Sequence, residues 1–447
     1  MPLRGQPRPG GPLAAALAVG LAVRVLRLLR DPLIHPDGPA YLGLASGLLH
    51  GKVLAALGGY YSPLYPAAVA GLAASGLRLE LAGRATALLA GLAALPLVHA
   101  LVRRLAGERA ADAAVLLAAV HPALVKSSAQ VLPETLAGAL LLAWLVARRA
   151  GVAGALAGAA YLARPEGVLL LPLGLWRLRR ARLGALVRYA GVAVAVMAPA
   201  LVALRAETGH WQLSPREARV ALLAGVPGAT TLAEAALTNP AALLARLAEG
   251  VTRQVLYDAT ALGPLLVIPF VLGFGTARGT RGPLAVAAWF TALPLALNPS
   301  PRYAVPLVPL LLPATAAGLL ALGERLGRHA RLATAALGSA LVVQALWVSH
   351  PLDAACSREV SQLVLERYGP GQALVAVDGR FAYGAHGRAL VPPTTDPEDA
   401  LALARRSGAR LWLTRPAWIR PPWTPPADAR AVARPCGGTF VLFELGG

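Results

Sequence analysis

A small set of charged residues interrupts the long apolar runs of this sequence, and their types suit acid–base chemistry on an anionic substrate. They are Asp37, Glu134, Arg164, Glu166 and Arg302. A positioned carboxylate can remove a proton from a hydroxyl group, and a guanidinium group can neutralise a phosphate. The segments that carry these side chains decide whether they can act together.

The composition is that of a membrane protein. Of the 447 residues, 56% are hydrophobic and 14% are charged, whereas a soluble domain usually carries about 25% charged residues. Apolar runs close to the roughly 20 residues that cross a bilayer recur along the chain. They predict a mainly α, multispanning helical bundle of about eleven spans. The runs are 11–29, 82–102, 111–127, 133–147, 151–163, 167–177, 184–204, 259–277, 283–297, 303–322 and 332–349.

The net charge of +20 does not indicate nucleic-acid binding. A protein that binds nucleic acid usually carries a continuous basic stripe or patch. The arginines here form short clusters between apolar runs instead. We therefore expect the protein to interact with a lipid bilayer and not with nucleic acid.

The arginine clusters also predict the orientation of the chain. They follow every second apolar run, and positive residues collect in short cytoplasmic loops. The amino terminus is therefore predicted to be cytoplasmic. This topology brings the five charged residues to the outer face, where we expect them to line one cavity. The alternative, for any single residue, is a role at a helix end.

The predicted outer loop 30–81 is large and carries two short amphipathic helices, 39–50 and 63–75. Helices this short and apolar are expected to lie along the membrane surface. Tyr41 on the first helix and Tyr61 in the turn between them are further site candidates. Anchoring at the interface is the alternative role for these tyrosines.

Residues 351–447 alternate helix and strand patterns, which predicts a small α/β domain. We therefore divide the chain into a membrane domain, 1–350, and an extracytoplasmic C-terminal domain, 351–447. Both cysteines, Cys356 and Cys436, lie in the second. An oxidising compartment favours a disulfide between them, and two buried thiols are the alternative.

Several short motifs follow one another in a recognisable order. They are HPDGPAYLGLASGLLHGK from His35, YSPLYP from Tyr61, HPALVKSSAQVLPETLAGALLL from His121, ARPEGVLLLPL from Ala163 and PSPRYAVPLVPLLLP from Pro299. Over residues 10–350 this order resembles the GT-C superfamily of integral-membrane glycosyltransferases. It is most similar to the branch of protein O-mannosyltransferases and aminoarabinose transferases.

The resemblance implies transfer of a hexose or pentose from a polyprenyl-phosphate donor to a lipid, glycan or protein acceptor. Asp37 would be the base that takes the acceptor proton, and Glu134 would orient the acceptor. Arg302 with Tyr303 would bind the carrier phosphate. Further phosphate-binding candidates are Arg164, paired with Glu166, and Lys126.

The resemblance is also compatible with one divalent metal ion on Asp37 or Glu134. The histidines are too scattered to suggest a metal site of their own. Many relatives carry a second acid directly after the first, where this chain has Gly38. If the second acid holds a metal or the acceptor in those relatives, Glu134 is the candidate for that role in this chain.

Each assignment has a structural alternative. Asp37 precedes a predicted helix, where aspartate is a favoured N-cap. An acid in the first helical turn, such as Glu134, offsets the helix dipole, and Arg302 is placed to snorkel to the interface. At the level of the whole protein, the rival functions are a transporter or flippase of a lipid-linked substrate and a polymerase or ligase of lipid-linked glycans.

Overall fold

The computed structural model describes residues 11–31, 33–276, 281–292, 298–348, 352–392, 395–419 and 424–446. The fold is mainly helical and includes one small β-sheet. The chain divides into two compact units. The first comprises Met1–Arg30 with Leu44–Trp347, and the second comprises Asp31–Gly43 with Val348–Gly447.

Helices account for nearly all of the regular structure up to residue 346. In chain order they are α1 (Gly11–Arg30), α2 (Gly38–Leu49), α3 (Val53–Leu57), α4 (Leu64–Ala73), α5 (Leu79–Ala106), α6 (Glu108–Val120), α7 (Pro122–Ser128), α8 (Glu134–Val146), α9 (Ala150–Ala163), α10 (Leu170–Arg177), α11 (Leu183–Thr208), α12 (Glu217–Leu223), α13 (Leu232–Thr238), α14 (Pro240–Leu262), α15 (Pro264–Thr276), α16 (Arg281–Phe290), α17 (Val308–Leu326) and α18 (Ala330–Leu346). Short 3₁₀ helices cover Pro165–Leu169, Pro301–Leu307 and Gly327–His329.

Several of these helices are suited to a membrane. Within the described part of the chain, the segments long and apolar enough to cross one are Gly11–Arg30, Leu79–Ala106, Leu183–Thr208 and Pro301–Leu346. Two bent pairs raise the number from four to six if each pair is one span: Glu108–Val120 with Pro122–Ser128, and Pro240–Leu262 with Pro264–Phe274. The predicted helical bundle is confirmed. The count of about eleven spans is not, because runs such as 133–147 and 151–163 form helices of only 13 and 14 residues.

The bend between α6 and α7 follows from a proline. The residue before a proline is restricted to extended conformations, and His121 before Pro122 has φ −61° and ψ 123°. This break leaves carbonyl groups of α6 without helical partners. The buried guanidinium group of Arg24 donates to the carbonyl oxygens of Ala118 and Ala119 at 3.3 and 2.7 Å.

The bend of 104° between α14 and α15 is stabilised in a similar way. His121 Nε2 donates to the carbonyl oxygen of Leu262, the last residue of α14, at 3.1 Å. Polar partners of this kind are needed because the bilayer interior offers no water to freed backbone groups. One histidine therefore links the two helix breaks.

Small residues allow α9 and α11 to pack closely. Gly154 and Gly158 lie about one turn apart on α9, and a Cβ at either would overlap the backbone of α11, at Tyr189 and Ala193 respectively. Such small-residue faces are typical of helix packing in membranes. The contact fixes α9, whose end carries Arg164.

The second unit contains the small sheet. Its elements are α19 (Leu352–Tyr368), β1 (Ala373–Val375), α20 (Arg380–Tyr383), β2 (Arg388–Leu390), α21 (Pro397–Ser407), β3 (Leu411–Thr414), β4 (Ala429–Ala433) and β5 (Val441–Leu445). The strand order is β2-β1-β3-β5-β4. β1 pairs parallel with β2 and β3, whereas β5 pairs antiparallel with β3 and β4. The predicted small C-terminal α/β fold is confirmed.

A disulfide joins Cys356 on α19 to Cys436, which precedes β5. The sequence leaves this bridge and a pair of free thiols open, and the structure contains the bridge. The backbone nitrogen of Cys436 also donates to Glu359 at 2.8 Å. The bridge and this hydrogen bond connect α19 to the edge of the sheet.

Replacement of both cysteines by serine, C356S/C436S, is expected to destabilise this domain by about 2–5 kcal/mol. The bridge closes a sequence separation of 80 residues, so its loss frees a long loop in the unfolded chain. The measurement is the melting temperature of the full chain in detergent, with the wild-type protein in dithiothreitol as the control. Equal melting temperatures in oxidising and reducing buffer would contradict the prediction.

Candidate functional site

Four of the predicted charged residues and a tyrosine form one cluster in the first unit. Arg164 Nη1 donates to Glu134 Oε1 at 2.7 Å, and its Nη2 and Nε donate to the two carboxylate oxygens of Glu166 at 3.0 and 3.2 Å. Arg302 Nε lies 3.6 Å from the same oxygen of Glu134. The guanidinium carbons of Arg164 and Arg302 lie 4.3 and 5.0 Å from the ring centroid of Tyr303.

The local sequence places Arg164 at the end of α9. It precedes Pro165, and its extended backbone, with φ −154° and ψ 136°, ends the helix. The following 3₁₀ helix folds back so closely that a Cβ at Gly167 would overlap the backbone of Ala160. This tight return keeps Glu166 beside Arg164.

Glu134 is positioned by the start of α8. A carboxylate in the first turn is favoured by the helix dipole. The 3₁₀ helix Pro301–Leu307 packs on the same helix, where the Cβ position of Gly138 lies 3.4 Å from Pro306 Cα. This packing brings Arg302 within 3.6 Å of the Glu134 carboxylate.

A hydrogen-bond network anchors the segment before Arg302. The backbone nitrogen of Ser300 donates to Gln254 Oε1 at 3.2 Å, and Gln254 Nε2 donates to Asp258 at 3.0 Å. Thr291 donates to the other carboxylate oxygen of Asp258 at 2.6 Å. Gln254 is fully buried on α14. We infer that this network orients Arg302, two residues further along.

The cluster is buried and balanced in charge. Glu134 is 1% exposed and Arg164 is 7% exposed, and the two arginines match the two glutamates. Burial disfavours the charged form of Glu166, but the guanidinium group of Arg164 outweighs this and holds the pKa of Glu166 below its usual range. Arg216 lowers the same pKa further. Glu166 is therefore ionised at neutral pH.

Glu134 also lines a small cavity of about 20 Å³, together with Arg24 and Ser128. Its Oε1 faces both arginines, whereas its buried Oε2 has no hydrogen-bond partner within the described ranges. Buried polar atoms are almost always paired. This oxygen is therefore suited to accept a hydrogen bond from a bound molecule.

A second, small cavity of about 30 Å³ lies beside Arg164, Glu166 and Tyr303. The rest of its wall is apolar or backbone and includes Ala137, Leu141, Ala160, Leu170, Phe290 and Leu307. An apolar wall next to a few polar groups is typical of small-molecule sites. This combination suits a ligand with a hydrocarbon part and an anionic group.

The other predicted residues lie outside this cluster. Asp37 directly precedes α2 and belongs to the second unit, and its backbone nitrogen donates to His35 Nδ1 at 3.2 Å. Tyr41 is buried on α2, and Lys126 is exposed in the last turn of α7. The convergence of Asp37 with the cluster stays a prediction.

Tyr61 packs beside Tyr60 under Arg216, whose Cζ lies 5.2 and 4.9 Å from the two ring centroids. Sequence reasoning does not single out Arg216, because it lies in a loop and matches no motif. Arg24 is also absent from the predicted site. A charge within an apolar run is the signal that identifies it.

A possible metal site lies on other residues than those predicted. His99 Nε2 lies 3.2 Å from Asp112 Oδ1 and 3.6 Å from Glu108 Oε1, and the ligand atoms are close enough to hold a metal ion. The sequence does not reveal this group, because it joins α5 to α6. Two guanidinium groups lie beside Oε1 of Glu134, and a metal ion on Asp37 or Glu134 stays a prediction.

No protein-family model and no curated protein matches the sequence. The fold, however, matches solved structures. ArnT from Cupriavidus metallidurans bound to undecaprenyl phosphate has a TM-score of 0.57 and 14% identity, over 97% of this chain and 98% of that one. The chain has the fold of the GT-C glycosyltransferases.

Archaeal members show the same GT-C fold. The Archaeoglobus fulgidus oligosaccharyltransferase in complex with Zn and sulfate has a TM-score of 0.53 and 14% identity, over 91% of this chain and 68% of that one. The AglB complex with an inhibitory peptide and a dolichol-phosphate, from the same organism, has a TM-score of 0.51 and 13% identity, over 90% and 69%. The predicted resemblance to the superfamily is therefore confirmed for the fold, and the residue roles stay predictions.

Replacement of Arg164 by methionine is expected to destabilise the protein by about 3–5 kcal/mol, because it removes the main counter-charge of two buried glutamates and leaves Glu134 only the longer contact with Arg302 at 3.6 Å. The measurement is the melting temperature of the detergent-solubilised protein. The matched control is Arg253→Met, which removes an exposed ion pair with Glu249 and is expected to change stability by less than about 1 kcal/mol.

The stability of the protein is also expected to depend on pH through Glu166. Folding lowers the pKa of Glu166, so its contribution is present at neutral pH and is lost as the pH falls through that lowered value. Glu166→Gln should remove this acid-sensitive component. Similar melting temperatures for Arg164→Met and Arg253→Met would show that the buried cluster does not stabilise the fold.

Proposed function

We propose that this protein is a membrane glycosyltransferase that moves a sugar from a polyprenyl-phosphate donor to an acceptor hydroxyl on the extracytoplasmic face. The observation that supports it most is the cluster of Arg164, Arg302 and Tyr303, of which Arg164 and Tyr303 line an apolar cavity. The GT-C fold supports it as well. The similar ArnT structure is bound to undecaprenyl phosphate, and the similar AglB structure contains a dolichol-phosphate.

Of the two arginines, Arg302 is the better phosphate ligand. Its side chain is 22% exposed, compared with 8% for Arg164. Arg164 is held by two hydrogen bonds to Glu166 and one to Glu134, so its role is to fix these carboxylates. The Tyr303 hydroxyl lies 3.3 Å from Arg302 Nη2 and is placed to share the phosphate.

In the proposed reaction, the acceptor oxygen bonds to the anomeric carbon while the bond from that carbon to the phosphate oxygen breaks. The acceptor proton passes to the carboxylate of Asp37. Polyprenyl phosphate leaves with the bonding electron pair, and Arg302 balances its charge. The unpaired Oε2 of Glu134 accepts a hydrogen bond from the acceptor. A divalent cation, where one takes part, is better matched to Asp37 than to Glu134.

Transport of a lipid-linked substrate is a second candidate function. It is favoured by the cavity that Arg24 and Glu134 line together, because charged groups inside a membrane bundle often mark substrate paths. A flippase moves its substrate without breaking the bond between sugar and phosphate. Asp37 has no chemical role in that process, which separates the two functions.

Asp37→Asn is expected to lower the rate of sugar transfer by about 10²–10⁴-fold, because the amide accepts no proton. Binding of undecaprenyl phosphate should be unchanged. The measurement is the release of undecaprenyl phosphate from undecaprenyl-phosphate-linked arabinose and mannose, in vesicles that contain a bacterial membrane extract as the source of acceptor.

The matched control is Asp428→Asn, which changes a half-exposed aspartate of the same unit. Unchanged transfer in Asp37→Asn would remove the assignment of Asp37 as the base. Movement of the labelled donor across the vesicle, without release of the carrier by the wild-type protein, would instead support transport.

Arg302→Met is expected to weaken the binding of undecaprenyl phosphate by roughly 10- to 100-fold, because a hydrogen bond to a charged group contributes about 1.5–3 kcal/mol. Arg302→Lys should retain part of the affinity. Gln254→Leu removes the anchor of Ser300 and should weaken binding in the same direction by a smaller factor. The measurement is a titration in detergent, with Arg253→Met as the control, and equal affinity of Arg302→Met and wild type would contradict the assignment.

A further inference from the structure

The segment that carries Asp37 belongs to the C-terminal domain. Asp31–Gly43 groups with Val348–Gly447, and not with the helices that precede and follow it in the chain. The two segments come from opposite ends of the sequence. The proposed base is therefore held by a part of the protein that the sequence separates from the membrane domain.

Gly379 lies close to the segment that carries Asp37. It directly follows Asp378 and precedes α20. A Cβ at this position would lie 3.2 Å from the carbonyl oxygen of Pro36 and 3.5 Å from Cβ of Pro39. The first distance is tighter than nine in ten real Cβ contacts, so a side chain here must shift the backbone at Pro36 by a few tenths of an ångström, whereas the distance to Pro39 is an ordinary van der Waals contact.

Close approach, and not backbone conformation, explains the glycine. Gly379 has φ −61° and ψ −20°, values that any residue adopts. The turn around it is also fixed, because the backbone nitrogen of Arg380 donates to Asp378 at 2.9 Å and the two side chains form an ion pair. Glycine is used here because another backbone lies close to it.

A displacement at Pro36 would reach Asp37 directly, because the carbonyl of Pro36 is part of the peptide bond to Asp37. The surrounding chain is stiff. Pro36 and Pro39 have fixed φ angles, and the backbone nitrogen of Gly38 donates to the carbonyl oxygen of His35 at 2.7 Å. The segment therefore has few soft torsions that would absorb a shift.

We propose that Gly379 is a positioning residue for Asp37 and that the C-terminal domain thereby sets the geometry of the acid. This inference rests on the proposed function, in which Asp37 is the base. A misplacement of about 1 Å at a reacting group lowers rates by on the order of 100-fold. The role of this domain is then catalytic support, transmitted through the segment 31–43.

Gly379→Val tests the proposal in the full chain. The rate of carrier release at saturating donor is expected to fall by about tenfold or more, while the affinity for undecaprenyl phosphate stays unchanged. Gly379→Ala should change the rate in the same direction by a smaller factor, since a single methyl group needs a shift of only a few tenths of an ångström.

Gly384→Ala is the matched control. A Cβ at Gly384 would lie 2.6 Å from Ser361 Oγ, so it disturbs the packing of the same domain at a different contact. It should lower the melting temperature and leave the rate unchanged. Hydrogen exchange gives a direct readout: the amide of Gly38 should exchange faster in Gly379→Val and at the wild-type rate in Gly384→Ala.

The outcomes separate the inference from the proposed function. If Asp37→Asn transfers sugar normally, the assignment of Asp37 as the base fails. Faster amide exchange at Gly38 in Gly379→Val would still report the contact between Gly379 and Pro36. If Asp37→Asn is inactive while Gly379→Val and Gly379→Ala have wild-type rates, the positioning role is overturned. Equal loss of rate in Gly379→Val and Gly384→Ala would overturn it too, because it would reflect only the stability of the domain.

Discussion

A helix that is broken inside an apolar medium exposes backbone groups that water cannot satisfy, and this constraint shapes the first unit. The chain interrupts helices at the prolines that follow His121 and Arg164, and a 3₁₀ helix begins at Pro301 after Ser300. Polar side chains lie at these interruptions. Arg24 and His121 bond to carbonyl groups at two helix ends, and the breaks after positions 164 and 300 carry the charged cluster. The residues that relieve a structural problem and those proposed for chemistry therefore occupy the same kind of position.

The charged cluster illustrates how such a position becomes a site. Burial of an ion pair contributes little net stability, because the loss of hydration offsets the attraction. What the network of Arg164 with Glu134 and Glu166 does provide is a fixed arrangement of charges. Arg302, the more exposed arginine, lies at the edge of that arrangement. The network thus fixes a carboxylate oxygen and a guanidinium group in place near the cavities, so that the supporting side chains need not rearrange when a ligand binds.

The sequence predicts part of this well. The helical bundle and the small C-terminal sheet follow from local patterns, namely apolar runs and alternating helix and strand segments. The alternation of arginine clusters predicts that Glu134, Arg164 and Arg302 lie at one face, and the structure holds them in one cluster. The span count fails because short helices have the same composition as full spans. Strands β2 and β4 are short or largely exposed, so they leave a weak pattern. The membership of Asp31–Gly43 in the C-terminal domain depends on contacts between the ends of the chain, which no local pattern encodes.

The position of Arg24 and Arg27 has a consequence for biogenesis. A charged side chain within a span disfavours insertion, and α1 carries two buried arginines in its second half, with Arg27 in the last turn. Their partners are synthesised later: Ala119 comes 95 residues after Arg24, and Ala345 comes 318 residues after Arg27. During translation α1 therefore reaches the translocon or the membrane interface before the carbonyl groups that pair with its arginines have been synthesised. Its stable integration depends on the arrival of downstream helices, so membrane entry of this protein is cooperative along the chain.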